Sequence, residues 1–265
     1  MTAVTSPFSA PGPGSRLFGD LAGKTALVTG ASSGLGAHFG AVLASAGAEV
    51  ILAARREDAL QSVGDTITAG GGRCSTLRLD VSDPASIRSA EPRLARVDIL
   101  VNNAGVGTKG SALDQTEADW DMVIDTNLKG MFLLAQATAR AMRAREAGGS
   151  IINISSILGL RQAGGVAPYA VSKAGAIQLT KALALEWARY GIRVNALAPG
   201  YFDNEVNAEL WEADIGKAML KRIPQRRPGR LQDLDGPLLL LASDASAYMT
   251  GSVLTVDGGH LVSSL

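Results

Sequence analysis

The sequence has little of several residue types that mark whole classes of protein. One cysteine, Cys74, excludes an internal disulfide and favours a reducing compartment, so we expect a cytoplasmic protein. The two histidines, His38 and His260, have no metal-ligand spacing, and we expect no metal site. The longest apolar run, at 237–243, is far too short to cross a bilayer, so no membrane partner is expected.

Excess charge of either sign is also missing. Lysine plus arginine and aspartate plus glutamate number 25 each, and the only dense basic run is the short stretch 225–230. A nucleic-acid partner is therefore not expected. The N-terminus lacks a basic start followed by an apolar run, so it does not predict a signal peptide. Its Pro, Ser and Gly content predicts a flexible tail over 1–18, and we expect the catalytic domain over 19–265.

What the chain does have is a regular alternation of short apolar runs and longer amphipathic stretches. Apolar strands that alternate with helices predict parallel strands buried on both faces. We therefore expect an α/β fold, a single-domain Rossmann-type doubly wound parallel sheet of about seven strands with helices on both faces. The strand-like runs lie at 24–30, 49–54, 74–81, 97–105, 150–156, 192–200 and 252–259. The helix-like stretches lie at about 34–46, 57–70, 83–95, 117–145, 169–190 and 231–243.

A glycine-rich turn, TGASSGLG at 29–36, joins the first predicted strand to the first helix. Glycine permits a tight turn and lets a pyrophosphate approach the backbone at a helix N-terminus, where free N–H groups favour an anion. Strand, turn, helix and second strand follow in the order that a dinucleotide site requires, which favours this function over a turn needed only for close packing. The predicted cofactor contacts are Gly30, Ser32, Ser33, Gly34, Leu35 and Gly36.

The end of the second predicted strand indicates which dinucleotide binds. A site for NAD usually presents an acidic residue to the ribose 2′-hydroxyl about 20 residues after the glycines. This chain has Ala54, Arg55 and Arg56 there instead, and an arginine fork suits a 2′-phosphate. We therefore expect NADP(H) in preference to NAD(H). The alternative is that both arginines are simply solvated at a strand end.

Six short motifs together resemble those of the short-chain dehydrogenase/reductase family. The resemblance extends from about Leu21 to Gly259 and is strongest for 3-oxoacyl-reductase-like and secondary alcohol dehydrogenase members. It implies hydride transfer between a nicotinamide cofactor and a ketone or secondary alcohol, in a homotetramer or homodimer. The motifs are TGASSGLG (29–36), NNAG (102–105), DTNLKG (125–130), the serine pair 155–156, YAVSK (169–173) and APG (198–200).

The resemblance implies a catalytic tetrad of Asn127, Ser156, Tyr169 and Lys173. Ser156 is preferred to Ser155 because the family serine stands thirteen positions before the tyrosine. In the family, the asparagine holds a water in a proton relay from the lysine.

Further cofactor contacts follow from the same resemblance. This chain departs from the family at one position. Asn204 stands where the family often has a threonine that binds the nicotinamide carboxamide. The implied contacts are Asp80 and Val81 at the adenine, Asn102, Asn103, Ala104 and Gly105 beside the adenosine ribose, Pro199, Gly200 and Phe202 near the nicotinamide, and Tyr169 and Lys173.

The spacing of Tyr169 and Lys173 suits proton transfer. Residues four apart on a helix lie on one face, about 5–6 Å apart at Cβ. A free tyrosine has a pKa near 10, and we expect the neighbouring ammonium and the positive nicotinamide to lower the pKa of Tyr169. Ser156 would hold the substrate oxygen near the tyrosine. Pro168 and Gly191 are the expected boundaries of this helix.

The irregular stretch 201–230 is predicted to be a substrate lid, with a surface helical hairpin as the alternative. Its arginines suit an acyl chain with a phosphopantetheine or CoA handle, although a solvated rim or a subunit contact is also compatible, and so is a bulky cyclic or aromatic ketone. Of the three tryptophans, only Trp211 is a candidate for a substrate contact. The arginines are Arg222, Arg226, Arg227 and Arg230.

The predicted function is an NADP(H)-dependent oxidoreductase that interconverts a ketone and a secondary alcohol, of the 3-oxoacyl type or a general carbonyl reductase. The alternative enzyme is an NAD-dependent secondary alcohol dehydrogenase that works in the oxidative direction. The alternative of another class is a dinucleotide-binding sensor that has lost its chemistry. That protein should have lost the tyrosine, the lysine or the serine, and all three are present here.

Overall fold

Seven parallel strands form the frame on which the site is built. The computed structural model describes residues 20–203, 211 and 213–263, so the predicted tail at 1–18 lies outside the described residues. The sheet order is β3-β2-β1-β4-β5-β6-β7, and each neighbouring pair is parallel. The predicted fold class is confirmed. The strands are β1 (Thr25–Thr29), β2 (Glu49–Ala54), β3 (Arg73–Arg78), β4 (Ile99–Asn102), β5 (Gly149–Ile154), β6 (Ile192–Pro199) and β7 (Val253–Val256).

Eight α-helices cover the sheet within the described ranges. None of them is both long and apolar enough to cross a membrane. The predicted stretch 231–243 begins with a 3₁₀ turn and becomes α-helical only at residue 235. The helices are α1 (Gly34–Ser45), α2 (Glu57–Ala69), α3 (Pro84–Leu94), α4 (Glu117–Ile124), α5 (Gly130–Ala144), α6 (Ala167–Trp187), α7 (Asp214–Arg222) and α8 (Asp235–Ala242).

Two separate apolar clusters hold the helices to the two faces of the sheet. Successive residues of a strand point to opposite faces, so Val28 packs with α1, α2 and α8, whereas Leu27 packs with α3, α5 and α6. The five inner strands consist mainly of apolar residues because both of their faces are buried, whereas the edge strands β3 and β7 are only half-buried.

The strand order reverses between β1 and β4. Their pairing sets Val28 opposite Val101, and the chain leaves the two carboxyl ends toward helices on opposite faces. A crevice opens at such a switch point in doubly wound sheets. The glycine turn after β1 and the NNAG motif at the end of β4 therefore meet at one edge of the sheet.

One π-helical turn, Asp125–Lys129, divides the single long helix predicted at 117–145. Gly130 follows it, and a Cβ there would lie 2.3 Å from the carbonyl oxygen of Val81. The glycine thus lets the helix pack directly on the backbone after β3. Single π turns occur mostly at functional sites, and this one contains Asn127.

Helix α6 positions the Tyr-Lys pair. Pro168 lies within its first turn, where a missing N–H costs no hydrogen bond. After the helix and a short 3₁₀ turn, Gly191 has a left-handed backbone with φ of 70°, as predicted for a stop. The helix packs against β6 and on the 3₁₀ turn Ile157–Gly159 that follows the serine pair.

Candidate active site

A cavity of about 250 Å³ lies at the carboxyl ends of β1, β2, β3 and β4. Nine of the residues predicted to contact a cofactor line it. Four other lining residues were not predicted, because no motif assigns a cofactor contact to them. They are Ala54, Leu79, Val106 and Thr126. The predicted residues that line it are Gly30, Ser32, Ser33, Arg55, Arg56, Asp80, Val81, Ala104 and Gly105.

The glycine turn brings backbone against backbone. Gly30 and Gly34 have positive φ angles of 64° and 55°, which favour glycine. A Cβ on Gly36 would lie 2.2 Å from the carbonyl oxygen of Gly30 and 2.6 Å from Nδ2 of Asn103. No side chain fits at that position. Leu35 and Gly36 lie in the first turn of α1, beneath the cavity wall.

The end of β4 is fastened to the end of β1. The Nδ2 atom of Asn103 donates to the carbonyl oxygen of Thr29 at 2.9 Å, and the backbone N–H groups of Asn103 and Ala104 both donate to Oγ1 of Thr29 at 3.0 Å. Asn103 therefore shapes the cavity without lining it. Asn102 points into the core, where it donates to Oδ1 of Asn153 at 3.0 Å.

Two arginines stand at the open end of the cavity. Arg56 donates through Nη2 to Oγ of Ser32 at 3.0 Å and to Oγ of Ser33 at 3.2 Å. Arg55 lines this cavity and also a more open one beside Arg78. Both arginines are exposed, and neither has an ion pair within the described ranges. This cluster of donors can receive an anion.

Asp80 lies near the same end, and its Oδ1 atom accepts from the backbone N–H and the hydroxyl of Ser82. The carboxylate fixes the loop after β3, with Val81 next to it on the cavity wall.

The buried side chain of Asn127 fixes the loop after β4. Its Oδ1 accepts from the backbone N–H of Val106 at 2.8 Å, and its Nδ2 donates to the carbonyl oxygen of Val106 at 2.8 Å and to Oγ of Ser172 at 3.0 Å. Both amide hydrogens are thus used. The side chain holds the cavity wall at Val106 against α6.

The two adjacent serines have different environments. Ser155 donates to the carbonyl oxygen of Lys173 at 2.8 Å and therefore ties β5 to α6. Ser156 caps the following 3₁₀ turn by accepting from the N–H of Leu158 at 3.1 Å, and its hydroxyl lies close enough to Tyr169 to lower the pKa of that residue. The structure thus places Ser156, and not Ser155, next to the tyrosine hydroxyl.

Tyr169 and Lys173 share one buried corner. The Nζ atom of Lys173 lies 5.5 Å from the centroid of the Tyr169 ring and donates to the carbonyl oxygen of Ile154 at 2.8 Å. Lys173 is only 3% exposed, and burial lowers its pKa to about 8. A Cβ on Gly105 would lie 3.5 Å from Nζ, so the lysine ammonium lies close behind the cavity wall at Gly105.

Burial raises the pKa of Tyr169, the nearby Ser156 hydroxyl opposes this, and Tyr201 raises the pKa further. Desolvation disfavours the charged form of both Tyr169 and Lys173. The tyrosine is therefore a protonated acid here. The lowering expected from the ammonium together with the nicotinamide concerns the cofactor-bound site and stays a prediction.

The APG motif ends β6 beside this corner. Gly200 donates its N–H to the carbonyl oxygen of Val256 at 2.8 Å, and a Cβ there would lie 2.8 Å from Cα of Asp257. Phe202 is buried in the core against Gly229, while Pro199 pairs with Val256. Asn204 lies outside the described residues.

The described part of 201–230 includes helix α7 and all four arginines named above. Arg226 donates to the carbonyl oxygen of Lys221, and Arg227 pairs with Asp233 at 2.6 Å. These two guanidinium groups therefore have partners within the protein. Arg227 and Asp233 line a second cavity of about 220 Å³, together with Tyr201.

Known proteins resemble this chain along nearly its whole length. A family model described as enoyl-(acyl carrier protein) reductase matches residues 30–260. The 2-dehydro-3-deoxy-D-gluconate 5-dehydrogenase of Dickeya dadantii (strain 3937) is 39% identical over 247 residues, which is 91% of this chain and 97% of that protein. The 3-oxoacyl-(acyl-carrier-protein) reductase of Escherichia coli (strain K12) is 41% identical over 241 residues, which is 89% of this chain and 97% of that protein.

A solved structure gives the same result in three dimensions. The crystal structure of a gluconate 5-dehydrogenase from Burkholderia cenocepacia J2315, in complex with NADP and tartrate, matches with a TM-score of 0.88 and 37% sequence identity. The match covers 93% of this chain and 98% of that chain. The similarity therefore includes every element that surrounds the cavity.

Proposed function

The chain belongs to the short-chain dehydrogenase/reductase family, and from this premise we propose that it is an NADP(H)-dependent oxidoreductase that uses Asn127, Ser156, Tyr169 and Lys173. It acts on CH–OH groups and interconverts a ketone and a secondary alcohol. The observation that carries the proposal is that Ser156 and Lys173 both lie close to the ring of Tyr169, with Nζ of Lys173 5.5 Å from its centroid.

The residues of the main cavity fit a dinucleotide with a 2′-phosphate. A Cβ on Gly34 would meet nothing within 4 Å, so the backbone at the start of α1 is open to a pyrophosphate, whereas Gly36 lets the helix pack directly on Gly30. Arg55 and Arg56, with Ser32 and Ser33, present charged and neutral donors where the ribose phosphate of NADP would lie. This donor set supports NADP(H) over NAD(H), and an NAD-linked dehydrogenase remains the alternative.

Each tetrad residue has a distinct part in moving the proton. When bound, the nicotinamide supplies or accepts the hydride. Ser156 donates a hydrogen bond to the substrate oxygen, and Tyr169, protonated at neutral pH, gives its proton to that oxygen as the ketone is reduced. Lys173 lies beside the tyrosine to stabilise the phenolate that remains. Asn127 keeps the loop at Val106 in place.

Two substrate classes are compatible with the relatives. The Escherichia coli relative is named for a 3-oxoacyl carrier-protein substrate, and the Dickeya dadantii relative for a sugar acid. The ion pair of Arg227 with Asp233 leaves that arginine less suited to a phosphopantetheine handle. A small hydroxy or keto compound is therefore the better supported class.

The assembly is proposed to be a cytoplasmic homotetramer, with α5 and α6 at one interface. Between these helices lies a groove of about 280 Å³ that includes Phe132 and Trp187. On α6, Leu185 is 84% exposed and Val171 is 47% exposed. Apolar side chains at such a groove are typical of a surface that a second copy covers.

Turnover with a panel of carbonyl compounds tests this function. The purified chain is mixed with NADPH or NADH and with an aliphatic ketone, a cyclic ketone, a 3-oxoacyl thioester or a keto acid, and loss of the reduced-nicotinamide absorbance is followed. We expect faster oxidation of NADPH than of NADH with at least one of these classes. Tight NADPH binding without turnover of any of them would instead favour the non-catalytic sensor.

A further inference from the structure

A cluster of donor groups lies beyond the tetrad on the side away from the glycine turn. It is formed by Arg161, Tyr201, Trp211 and His260, which we call the donor cluster. Its members come from four separate segments of the chain.

Arg161 is fixed on the same frame as the catalytic serine. The 3₁₀ turn Ile157–Gly159 and Leu160 separate it from Ser156, and its backbone N–H donates to the carbonyl oxygen of Ile157 at 2.8 Å. A Cβ on Gly159 would lie 2.7 Å from the carbonyl oxygen of Lys173. The turn that precedes Arg161 therefore packs directly on α6 at the catalytic lysine.

Tyr201 connects the donor cluster to Tyr169. It is close enough to Tyr169 to raise the pKa of that residue, and Arg161 is close enough to oppose the effect of burial on the pKa of Tyr201. The centroid of its ring lies 5.6 Å from that of His260 and 6.4 Å from that of Trp211. The cluster thus lies within electrostatic range of the tyrosine that is proposed to transfer the proton.

Two buried nitrogens of the cluster have no hydrogen-bond partner within the described ranges. They are Nδ1 of His260 and Nε1 of Trp211. His260 is only 8% exposed. A buried polar atom without a partner costs free energy, about 1–3 kcal/mol, so these atoms indicate a ligand that supplies acceptors.

The charge around the cluster favours an anion. The hydrogen bonds of Arg161 run through one nitrogen, Nη1, to the carbonyl oxygen of His260 at 2.6 Å and to Oγ of Ser263 at 3.3 Å. Within the described part of the chain it forms no ion pair. Burial lowers the pKa of His260, Arg161 and Arg222 lower it further, and Asp257 opposes them, so two cations and one carboxylate act on the imidazole.

The carboxylate of Asp257 offsets part of this charge at His260, but it forms no ion pair with Arg161 within the described ranges. Asp257 accepts from the backbone N–H of Gly259 at 2.9 Å and from that of Leu261 at 2.7 Å. Both of its oxygens therefore hold the turn that positions His260, and the free donors of Arg161 remain without an acid partner there.

We propose that the donor cluster is an anion subsite in which Arg161 and His260 bind the carboxylate of a small hydroxy or keto acid while its carbonyl or hydroxyl carbon lies at Tyr169. This inference rests on the proposed function of Tyr169. A planar guanidinium fork matches carboxylate geometry, and Tyr201 and Trp211 enclose the carbon chain between the two ends.

Binding of matched acid and neutral compounds tests the subsite. The full-chain enzyme, saturated with NADP⁺, is titrated in a calorimeter with D-gluconate and D-glucitol, and with 3-hydroxybutanoate and 1,3-butanediol. Within each pair, the carboxylate is replaced by a CH₂OH group. We expect at least one acid to bind about tenfold or more tightly than its neutral counterpart. Equal affinity within both pairs would overturn the proposal.

Variants test whether a preference for the acid over the neutral compound depends on the donor cluster. Arg161→Gln keeps a donor for the carbonyl of His260 but removes the charge, and His260→Phe keeps the ring beside Tyr201 but removes Nδ1. Both should reduce the preference for the acid and leave the affinity for the neutral compound within about twofold. Arg88→Gln, on the exposed face of α3, is the matched control and should retain it.

The pattern of results separates this proposal from the proposed function. If Arg161→Gln lowers the affinity for acid and neutral compound alike, or only lowers the melting temperature, Arg161 is a tether for the C-terminal turn and the subsite is refuted. If an acid binds through Arg161 but no carbonyl compound is reduced by the wild type, the subsite stands and the catalytic proposal fails.

Discussion

The cleft at Gly30 is shaped by backbone, whereas the surface at Arg161 is shaped by side chains. On the cofactor side, the carbonyl oxygen of Gly30 lies where a Cβ of Gly36 would be, and Thr29 accepts the N–H groups of Asn103 and Ala104. On the substrate side, the donor cluster joins four segments through large rings and a guanidinium group. The first surface tolerates almost no change of residue, and the second can be altered by single substitutions.

This difference suits the two ligands. A cofactor that is common to many reactions can be held by N–H groups and glycine geometry that every member of a fold can build. A substrate must be distinguished from its analogues, and side chains with a defined charge and shape do that. Tyr169 and Lys173 lie where the two surfaces meet.

The largest effect is expected at this meeting point. Tyr169→Phe removes the proton donor and keeps the ring, so turnover should fall about 10²- to 10⁴-fold, while the affinity for NADPH remains close to that of the wild type. Steady-state oxidation of NADPH and a fluorescence titration measure the two quantities. The control is Tyr248→Phe, because Tyr248 is fully exposed. Retained turnover in Tyr169→Phe would refute the tetrad.

The next largest effect is expected on the cofactor side, in the glycine turn. Gly36→Ala places a methyl group 2.2 Å from the carbonyl oxygen of Gly30, so the turn must shift. We expect a loss of about 1–3 kcal/mol of unfolding free energy and a loss of NADPH affinity that is larger than the loss of affinity for a neutral ketone.

Gly236→Ala provides the matched control for this variant. Gly236 lies in the first turn of α8, and a Cβ there would meet nothing within 4 Å. Alanine should leave the protein at least as stable, since it favours a helix more than glycine does. If Gly36→Ala behaves like Gly236→Ala in urea unfolding and in NADPH titration, the cofactor side does not depend on the close backbone contact.

Most of the cofactor side could be predicted from the sequence because its backbone geometry is compatible with few residue types. The positive φ at Gly30 and the contact at Gly36 both require glycine, so a short motif specifies the strand, the turn and the helix together. Likewise, short apolar runs predicted all seven strands, of which the five inner ones are almost wholly buried and the edge strands β3 and β7 are only half-buried. The roles of the tetrad residues stay predictions, although the structure brings their side chains together.

The substrate side could not be predicted in the same way. Arg161 and His260 are 99 positions apart, and no spacing rule connects them. The π turn at Asn127 and the raised pKa of Tyr169 likewise depend on packing and burial that only the folded chain defines. Local patterns report local geometry, whereas desolvation is a property of the whole surroundings.

The preference for NADPH over NADH tests the pair Arg55 and Arg56, the one part of the cofactor side that is formed mainly by side chains. Arg55→Ala and Arg56→Ala should each weaken NADPH binding about tenfold, since each removes a charged donor for the 2′-phosphate, and should leave NADH binding within about twofold. Arg56→Ala also frees the hydroxyls of Ser32 and Ser33. Fluorescence titration with both cofactors measures the ratio, with Arg88→Ala as control. Equal weakening of NADPH and NADH would mean that the arginines only shape the turn.

The smallest expected effect concerns the free-energy cost of burying the ammonium group of Lys173. Its pKa in the folded protein is about 8, below the ordinary value of 10.5, because burial disfavours the ammonium. Between those two values the unfolded chain binds more protons than the folded one, so stability rises with pH across this window, by at most about 1.4 kcal/mol per pH unit. Below pH 8 the cost is fully present.

Lys173→Met removes this titration, so the difference in unfolding free energy between wild type and variant should shift in favour of the wild type from pH 7.5 to pH 9.5. Urea unfolding at both pH values measures that shift. Lys181→Met, on the exposed face of the same helix, is the matched control and should show no shift relative to the wild type. A pH-independent difference for Lys173→Met would mean that the lysine titrates as it does in water. Lys173 would then still belong to the side-chain surface of the site, but burial would not disfavour its ammonium as it disfavours the phenolate of Tyr169.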